Sequence, residues 1–190
     1  MSVTRFYGEI QLMAEESKIE EIVTEYLKPV YRLVFRLTGG APETEDITQE
    51  VFVKVWKNLA KYDPKQSLKT WIFTIARNTT IDWFRKKKSI PFSDLKQNWG
   101  EEEERDFADN IADLESLPDE LFAQAELKEK LDQAVITLSL DQRSVVTLHL
   151  EDNLTFEVIA KIMGQPINTV KSHYRRALLK LKEILHQKPY

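Results

Sequence analysis

Apolar residues recur at three- and four-residue steps along most of this chain, the spacing of one buried helix face. Over residues 18–38 the stripe is Ile19, Ile22, Val23, Tyr26 and Leu27, then Val30, Leu33, Val34 and Leu37. Pro29 falls inside it and, lacking an N–H, marks a new first turn or a kink. Gly39-Gly40 ends this helix, and Pro42 helps to start the next. From Glu43 to about Leu59, Ile47, Val51, Val55 and Leu59 form a second stripe, with Phe52 and Trp56 alongside. Glu43, Glu45, Asp46 and Glu50 crowd its first turns, where the helix dipole favours acids. After a polar connection at 61–67, a third helix runs from about Leu68 to Lys87 with Trp71, Ile72, Ile75, Ala76, Thr79 and Phe84 as its stripe. It finishes in Arg85-Lys86-Lys87-Lys88, which suits a solvated helix terminus and a nucleic-acid surface equally well.

The C-terminal part predicts helices at about 119–138, 141–150, 155–163 and 168–186. The last two carry a specific pattern. Thr155 caps a helix containing Phe156, Ile159, Ala160 and Met163, Gly164 supplies a left-handed turn, and Asn168 caps a second helix containing Val170, Tyr174, Leu178 and Leu181. Small Ala160 permits close approach and Val170 fills the angle between the helices. This is the pattern of a helix-turn-helix, whose second helix enters the major groove of DNA. Its outer face offers Asn168, Thr169, Lys171, Ser172, His173, Arg175 and Arg176 to phosphates and base edges. An ordinary helical hairpin with a basic face is the other reading.

Composition narrows the class. The 190 residues suffice for one ordinary domain or two small ones. Five glycines are too few for a sandwich, a barrel or a glycine-rich nucleotide loop. Without cysteine there are no disulfides, thiolate catalysis, zinc fingers or iron–sulfur clusters. No apolar run approaches the roughly 20 residues of a membrane span, and Glu9, Glu15, Glu16, Glu20 and Glu21 interrupt any signal-peptide core. A cytoplasmic, mainly helical protein without membrane insertion is the expectation. His149, His173 and His186 lack metal-ligand spacing, and no phosphate loop or nucleophile motif is present. The acids at 101–104 are too uniformly charged for an acid/base pair. The sequence therefore predicts no enzyme and no cofactor.

The net charge of −4 conceals a polarity along the chain. Residues 1–91 and 127–190 each carry an excess of +3, whereas 92–126 carries −10. Like charges this dense resist compaction, so the acidic stretch reads as a linker, mobile for much of its length, with a short helical turn at Phe107, Ile111 and Leu114. The expected fold class is all-α: two small helical domains at 1–91 and 119–190, joined by an acidic linker at 92–118, the C-terminal one containing the helix-turn-helix.

With both blocks in view, the chain resembles a bacterial RNA polymerase sigma factor of the extracytoplasmic-function (ECF) group. The resemblance covers roughly 20–90 and 120–186. It rests on Glu45-Asp46-Ile47-Thr48-Gln49-Glu50-Val51-Phe52, on Thr70-Trp71-Ile72-Phe73-Thr74-Ile75-Ala76-Arg77-Asn78 with Asp82 and Arg85, and on Asn168-Thr169-Val170-Lys171-Ser172-His173 with Arg175-Arg176-Ala177. It departs at Asn168, where family members often have glycine, and at His173, where they often have arginine. That substitution puts the arginine's DNA contact in question.

The resemblance implies partners and roles. Core RNA polymerase would be bound through the beta-prime clamp helices and the beta subunit, with Asp46, Gln49, Glu50 and Lys54 on the docking helix. Promoter DNA would be read twice. Lys69, Trp71, Arg77, Asn78, Arg85, Lys86 and Lys87 would hold the melted −10 element, with a flipped base near the loop at 63–69, and Asn78 would make a polar base contact. Trp71 and Phe73 are each open between core packing and base stacking, Trp71 inclining more to the core. Asn168, Thr169, Lys171, Ser172, His173, Arg175 and Arg176 would meet the −35 duplex. The linker would thread polymerase channels later used by RNA, although a solvated tether explains its composition equally. An anti-sigma factor would cover the polymerase-binding surfaces. The alternative function is a stand-alone helix-turn-helix regulator that dimerises through its N-terminal helices.

Overall fold

A computed structural model describes residues 3–88 and 130–186. The expected linker at 92–118 and the turn at 107–114 lie outside the described residues. The elements are α1 (Val3–Thr38), α2 (Thr44–Asn58), a 3-10 turn (Leu59–Lys61), α3 (Leu68–Lys88), helical residues 130–136, α4 (Leu140–Leu150), α5 (Phe156–Met163) and α6 (Ile167–His186). No strand occurs among the described residues.

In the N-terminal domain α1, α2 and α3 pack pairwise against one another. Val30, Leu33, Val34 and Leu37 of α1 meet Val51 and Val55 of α2 and Ile72, Phe73 and Ala76 of α3 in a core where each is fully buried. Two expectations are corrected here. Helix α1 begins at Val3 and continues through Pro29 as one element, so no new first turn starts there. Pro29 is half-buried and Glu25, whose carbonyl loses its donor, is exposed, so the unbonded carbonyl belongs to the solvent side of the helix. Leu27 belongs to that solvent side and is 44% exposed, not part of the stripe. The stop comes where expected. Gly39 and Gly40 both have positive φ, +74° and +76°, and the Gly40 N–H donates to the Phe35 carbonyl at 3.0 Å.

In the C-terminal domain Ser139 and Gln142 form a reciprocal capping box that starts α4. The Thr155 hydroxyl accepts from the Val158 N–H to start α5, and Gly164, with φ +62°, closes it. Val170 and Ile159 are fully buried between α5 and α6. Asn168, expected to cap α6, does not: the helix begins at Ile167, and the Pro166 carbonyl accepts from Thr169 and Val170. Proline's fixed φ suits the entry to a helix, and this moves Asn168 into the first turn. His149 has a packing role. Its Nδ1 donates to the Leu154 carbonyl at 2.8 Å, and its ring stacks on Phe156 and meets the edge of Tyr174.

The two domains lie against each other, α1 on α4 and α3 on α5. A β-carbon at Gly39 would stand 3.2 Å from Ile136 of the other domain. Arg143 of α4 donates to the Leu37 carbonyl at 2.8 Å, placing a cation at the C-terminal end of α1, where the helix dipole favours it. Arg32 contacts Asp152 and Glu151, and Arg36 contacts Glu151 and Asp132. Arg77 meets Asp141 at 2.5 Å.

Candidate nucleic-acid interface

Helix α2 presents one face outward because its opposite face is the apolar stripe. Asp46, Gln49 and Glu50 are all exposed on that face. The same face continues one and two turns on with Val53 and Trp56, which are 43% and 58% exposed. The sequence placed Trp56 alongside the core stripe; the structure puts it in solvent, beside the acids. Lys54 bridges the edge of that face and α3. Its ammonium lies 2.8 Å from a Glu50 carboxylate oxygen and donates to the Thr79 hydroxyl of α3 at 3.2 Å. The Lys54 hydrogen bond is the main cause holding the Glu50 carboxyl below its usual range, with Lys86 adding charge.

The connection before α3 is a tied turn. The Tyr62 hydroxyl donates to the Gln66 carbonyl at 2.6 Å, and the Asp63 carboxylate accepts from the Lys65 N–H at 2.9 Å. The Tyr62 ring packs on Trp71 with centroids 5.1 Å apart. Trp71 is half-buried there, whereas Phe73 is fully buried. The order of the two aromatics is thus the reverse of the sequence reading: Phe73 is the core residue. Asn78 is exposed, and so are Arg85 and Lys86. Lys87 is half-buried, 3.3 Å from Glu43 and over the Trp83 ring.

Two cations expected to face DNA turn inward instead. Arg77 is 6% exposed, under the C-terminal domain. Lys69 lies over the Phe73 ring and donates to the Asp152 carbonyl at 3.2 Å. Burial raises the Asp152 pKa, more than Arg32 and Lys69 lower it. For Arg36 burial acts downward, but Glu151 and Asp132 together outweigh it and its pKa rises.

On α6, Asn168, Thr169, Lys171, Ser172, Arg175 and Arg176 are all exposed. Ser172 donates to the Asn168 carbonyl at 2.8 Å, within the helix. Asn168, Thr169, Ser172, His173 and Arg176 line a shallow depression of about 280 Å³. His173 is half-buried, 3.8 Å from Asp141. The face therefore combines two arginines with amide and hydroxyl groups, the set that reads phosphates and base edges. No cluster of residues suited to a metal ion occurs among the described residues. No described helix is long and apolar enough to cross a membrane.

Sequence reasoning missed Val53 and Trp56 as surface residues, and it missed Asp132, Asp141, Glu151 and Asp152. The acids follow no helical period, so only the packing of the two domains gathers them.

Comparison with known proteins agrees with this layout. The Sigma-70 region 2 family matches residues 22–90, and the Sigma-70, region 4 family matches residues 128–181. The chain is 31% identical to the ECF RNA polymerase sigma factor SigW of Bacillus subtilis, over 90% of both chains. It is 30% identical to the RNA polymerase sigma-H factor of Pseudomonas aeruginosa, over 82% of this chain and 80% of the relative. Among solved structures, the sigma factor RpoE in complex with the anti-sigma factor NepR from Bartonella quintana aligns with a TM-score of 0.70 at 23% identity. That alignment covers 90% of this chain and 99% of that one.

Proposed function

Because the chain belongs to the ECF group of RNA polymerase sigma factors, we propose a division of labour among its helices. As a sigma factor it binds core RNA polymerase and directs promoter recognition and transcription initiation. Within that activity, α2 docks on the beta-prime clamp helices through Asp46, Gln49 and Glu50, with Lys54 at the margin. Acidic and amide groups select basic partners and speed their encounter, and Trp56 supplies the large apolar anchor that concentrates binding energy. Helix α3 holds the melted −10 strand. Asn78 contacts a base, Trp71 on its Tyr62 support offers a stacking surface, and Lys69, Arg77, Arg85, Lys86 and Lys87 take phosphates. Helix α6 reads the −35 duplex through Asn168, Thr169, Lys171, Ser172, His173, Arg175 and Arg176.

The observation that carries this reading is the combination in one chain of the exposed acidic-aromatic face of α2 and the exposed cationic face of α6. A stand-alone regulator needs only the second. The chain performs no chemistry itself: it supplies position and strand capture to an enzyme that does. It works in the cytoplasm, where polymerase is, and an anti-sigma factor covering the polymerase-binding surfaces is its natural antagonist. The domains extend over 1–91 and 119–190, with the acidic 92–118 between them.

Transcription with sigma-free bacterial core polymerase, with and without the chain, on genomic promoter fragments tests this. Discrete start sites that appear only with the chain are the expected result. Trp56→Ala should weaken binding to core polymerase by about tenfold or more, as loss of an aromatic hot spot does, with the melting temperature unchanged. Full activity of that variant would remove Trp56 from the docking face. No transcripts and no co-migration with core would overturn the whole reading.

A further inference from the structure

The face assigned to the −35 duplex contains one group unlike the rest. Asn168, Thr169, Ser172, His173 and Arg176 line the depression on α6. Asparagine, threonine and serine do not ionise, and a guanidinium keeps its charge throughout. Imidazole is the side chain that ordinarily changes charge between about pH 5 and 8. The residues assigned to the −10 strand are lysines, arginines, a tryptophan and an asparagine, none of which does so. His173 is therefore the one charge in either promoter-reading set that pH can switch.

Its surroundings decide what that charge does. The His173 Nε2 faces Asp141 of α4 at 3.8 Å, beyond hydrogen-bonding distance. That carboxylate is already engaged. One oxygen holds Arg77 of α3 at 2.5 Å, and the oxygen nearer His173 accepts from Gln165, just after α5, at 3.3 Å. Arg77 thus matches the negative charge of Asp141, and a proton on His173 is surplus. Glu157, in the first turn of α5, lies within electrostatic range of Lys171. On α6 itself Lys171, Arg175 and Arg176 add cations at exposed positions. A protonated His173, with 20% of its side chain exposed, raises this cationic face by one charge.

We propose that His173 makes recognition of the −35 duplex pH-dependent, its protonated ring gripping a backbone phosphate that the neutral ring holds weakly. The proposal rests on the assignment of α6 to the −35 element. A charge-assisted hydrogen bond to phosphate is about twice as strong as a neutral one. Binding through the protonated ring takes up part of a proton, so it tightens as pH falls and loses that gain as pH rises. If the ring holds its proton about ten times more firmly against the phosphate, the gain reaches about tenfold at the acid end.

The test uses the full chain bound to core polymerase, on the promoter fragment mapped in the transcription assay. Hydroxyl-radical protection of the upstream element gives its affinity at about pH 6, 7 and 8. The polymerase's own response to pH is common to every variant and cancels. Relative to His173→Gln, the parent should bind severalfold tighter toward pH 6, up to about tenfold, with a salt dependence there steeper by about one phosphate contact. His173→Arg should bind tightly throughout and His173→Gln weakly throughout. Circular dichroism checks that both are folded, and the salt series on the parent stands without them. Parallel pH curves for the parent and His173→Gln overturn the proposal, as does a parent whose upstream affinity falls toward pH 6 or whose salt dependence does not change with pH. Arg176→Ala separates this failure from that of the reading beneath it. If Arg176→Ala weakens the upstream footprint while the parent lacks the pH response, the switch alone is wrong. If it leaves the footprint whole, α6 does not read the duplex.

Discussion

Tyr26 packs into the N-terminal core with 9% of its surface exposed. Burial, reinforced by the Glu25 carboxylate that accepts from its hydroxyl, pushes the phenol pKa from 10.0 up to about 12. The folded chain therefore holds this proton more tightly than the unfolded one. The associated stability is complete below pH 10.0 and is lost as pH rises through about 12. Urea unfolding of Tyr26→Phe should show a midpoint that falls less steeply over that alkaline range than the parent's; parallel slopes would exclude Tyr26 as the responsible group. Phe73 makes a different point. Its full burial predicts a loss of about 3–5 kcal/mol on Phe73→Ala, read by chemical denaturation. Trp71→Ala should cost less stability and should impair strand capture instead. The order of these neighbours was hidden in the sequence because a stripe assumes one covered face. Helix α3 is covered by α1 and α2 on one side and by α5 on another, so Phe73 and Arg77 are buried although they lie outside the stripe.

At the scale of elements, local chemistry was most legible where a single residue fixes the backbone. Thr155, Gly164 and Val170 each do in the structure what their spacing predicted. Asn168 failed as a cap because Pro166 starts the helix one residue earlier, an effect of ring geometry rather than of side-chain capping. Two glycines separate backbone from packing. A β-carbon at Gly164 would meet nothing within 4 Å, so Gly164→Ala should cost only the left-handed penalty of about 1–2 kcal/mol. At Gly39 the same penalty is joined by the contact with Ile136 across the domain boundary. Gly39→Ala should therefore lower the thermal midpoint further than Gly164→Ala, and equal shifts would mean that the boundary yields freely. The turn after α4 has its own device. Asn153 takes φ +53°, a conformation asparagine tolerates better than most residues, and this sets Glu151 and Asp152 toward α1.

For the whole molecule, the two promoter-reading surfaces should fail in distinguishable ways. Arg176→Ala should weaken the upstream footprint of the polymerase complex. Asn78→Ala should leave that footprint largely intact and reduce strand opening, measured by permanganate reactivity. Identical defects in both variants would show that the two helices do not read separate elements. Residues 1–91 and 127–190 each carry an excess of only +3, so the free chain should bind promoter duplex poorly and the polymerase complex strongly. Division into two helical blocks around an acidic stretch was legible from charge and period alone. Their mutual contact was not, since neither periodicity nor net charge records which acid of one block faces which base of the other.

The pairing of Arg77 with Asp141 carries a consequence for how such a protein can be tuned by mutation. A new lysine or arginine on α3 adds attraction for DNA, and it adds the same attraction for the acids of the neighbouring domain. Gains of that kind largely cancel. Changes among Asp132, Asp141, Glu151 and Asp152 do not, because a carboxylate is itself no ligand for a phosphate. Adjustments of promoter output should therefore accumulate among acids that do not themselves bind DNA, and a comparison limited to the DNA-facing residues would overlook them.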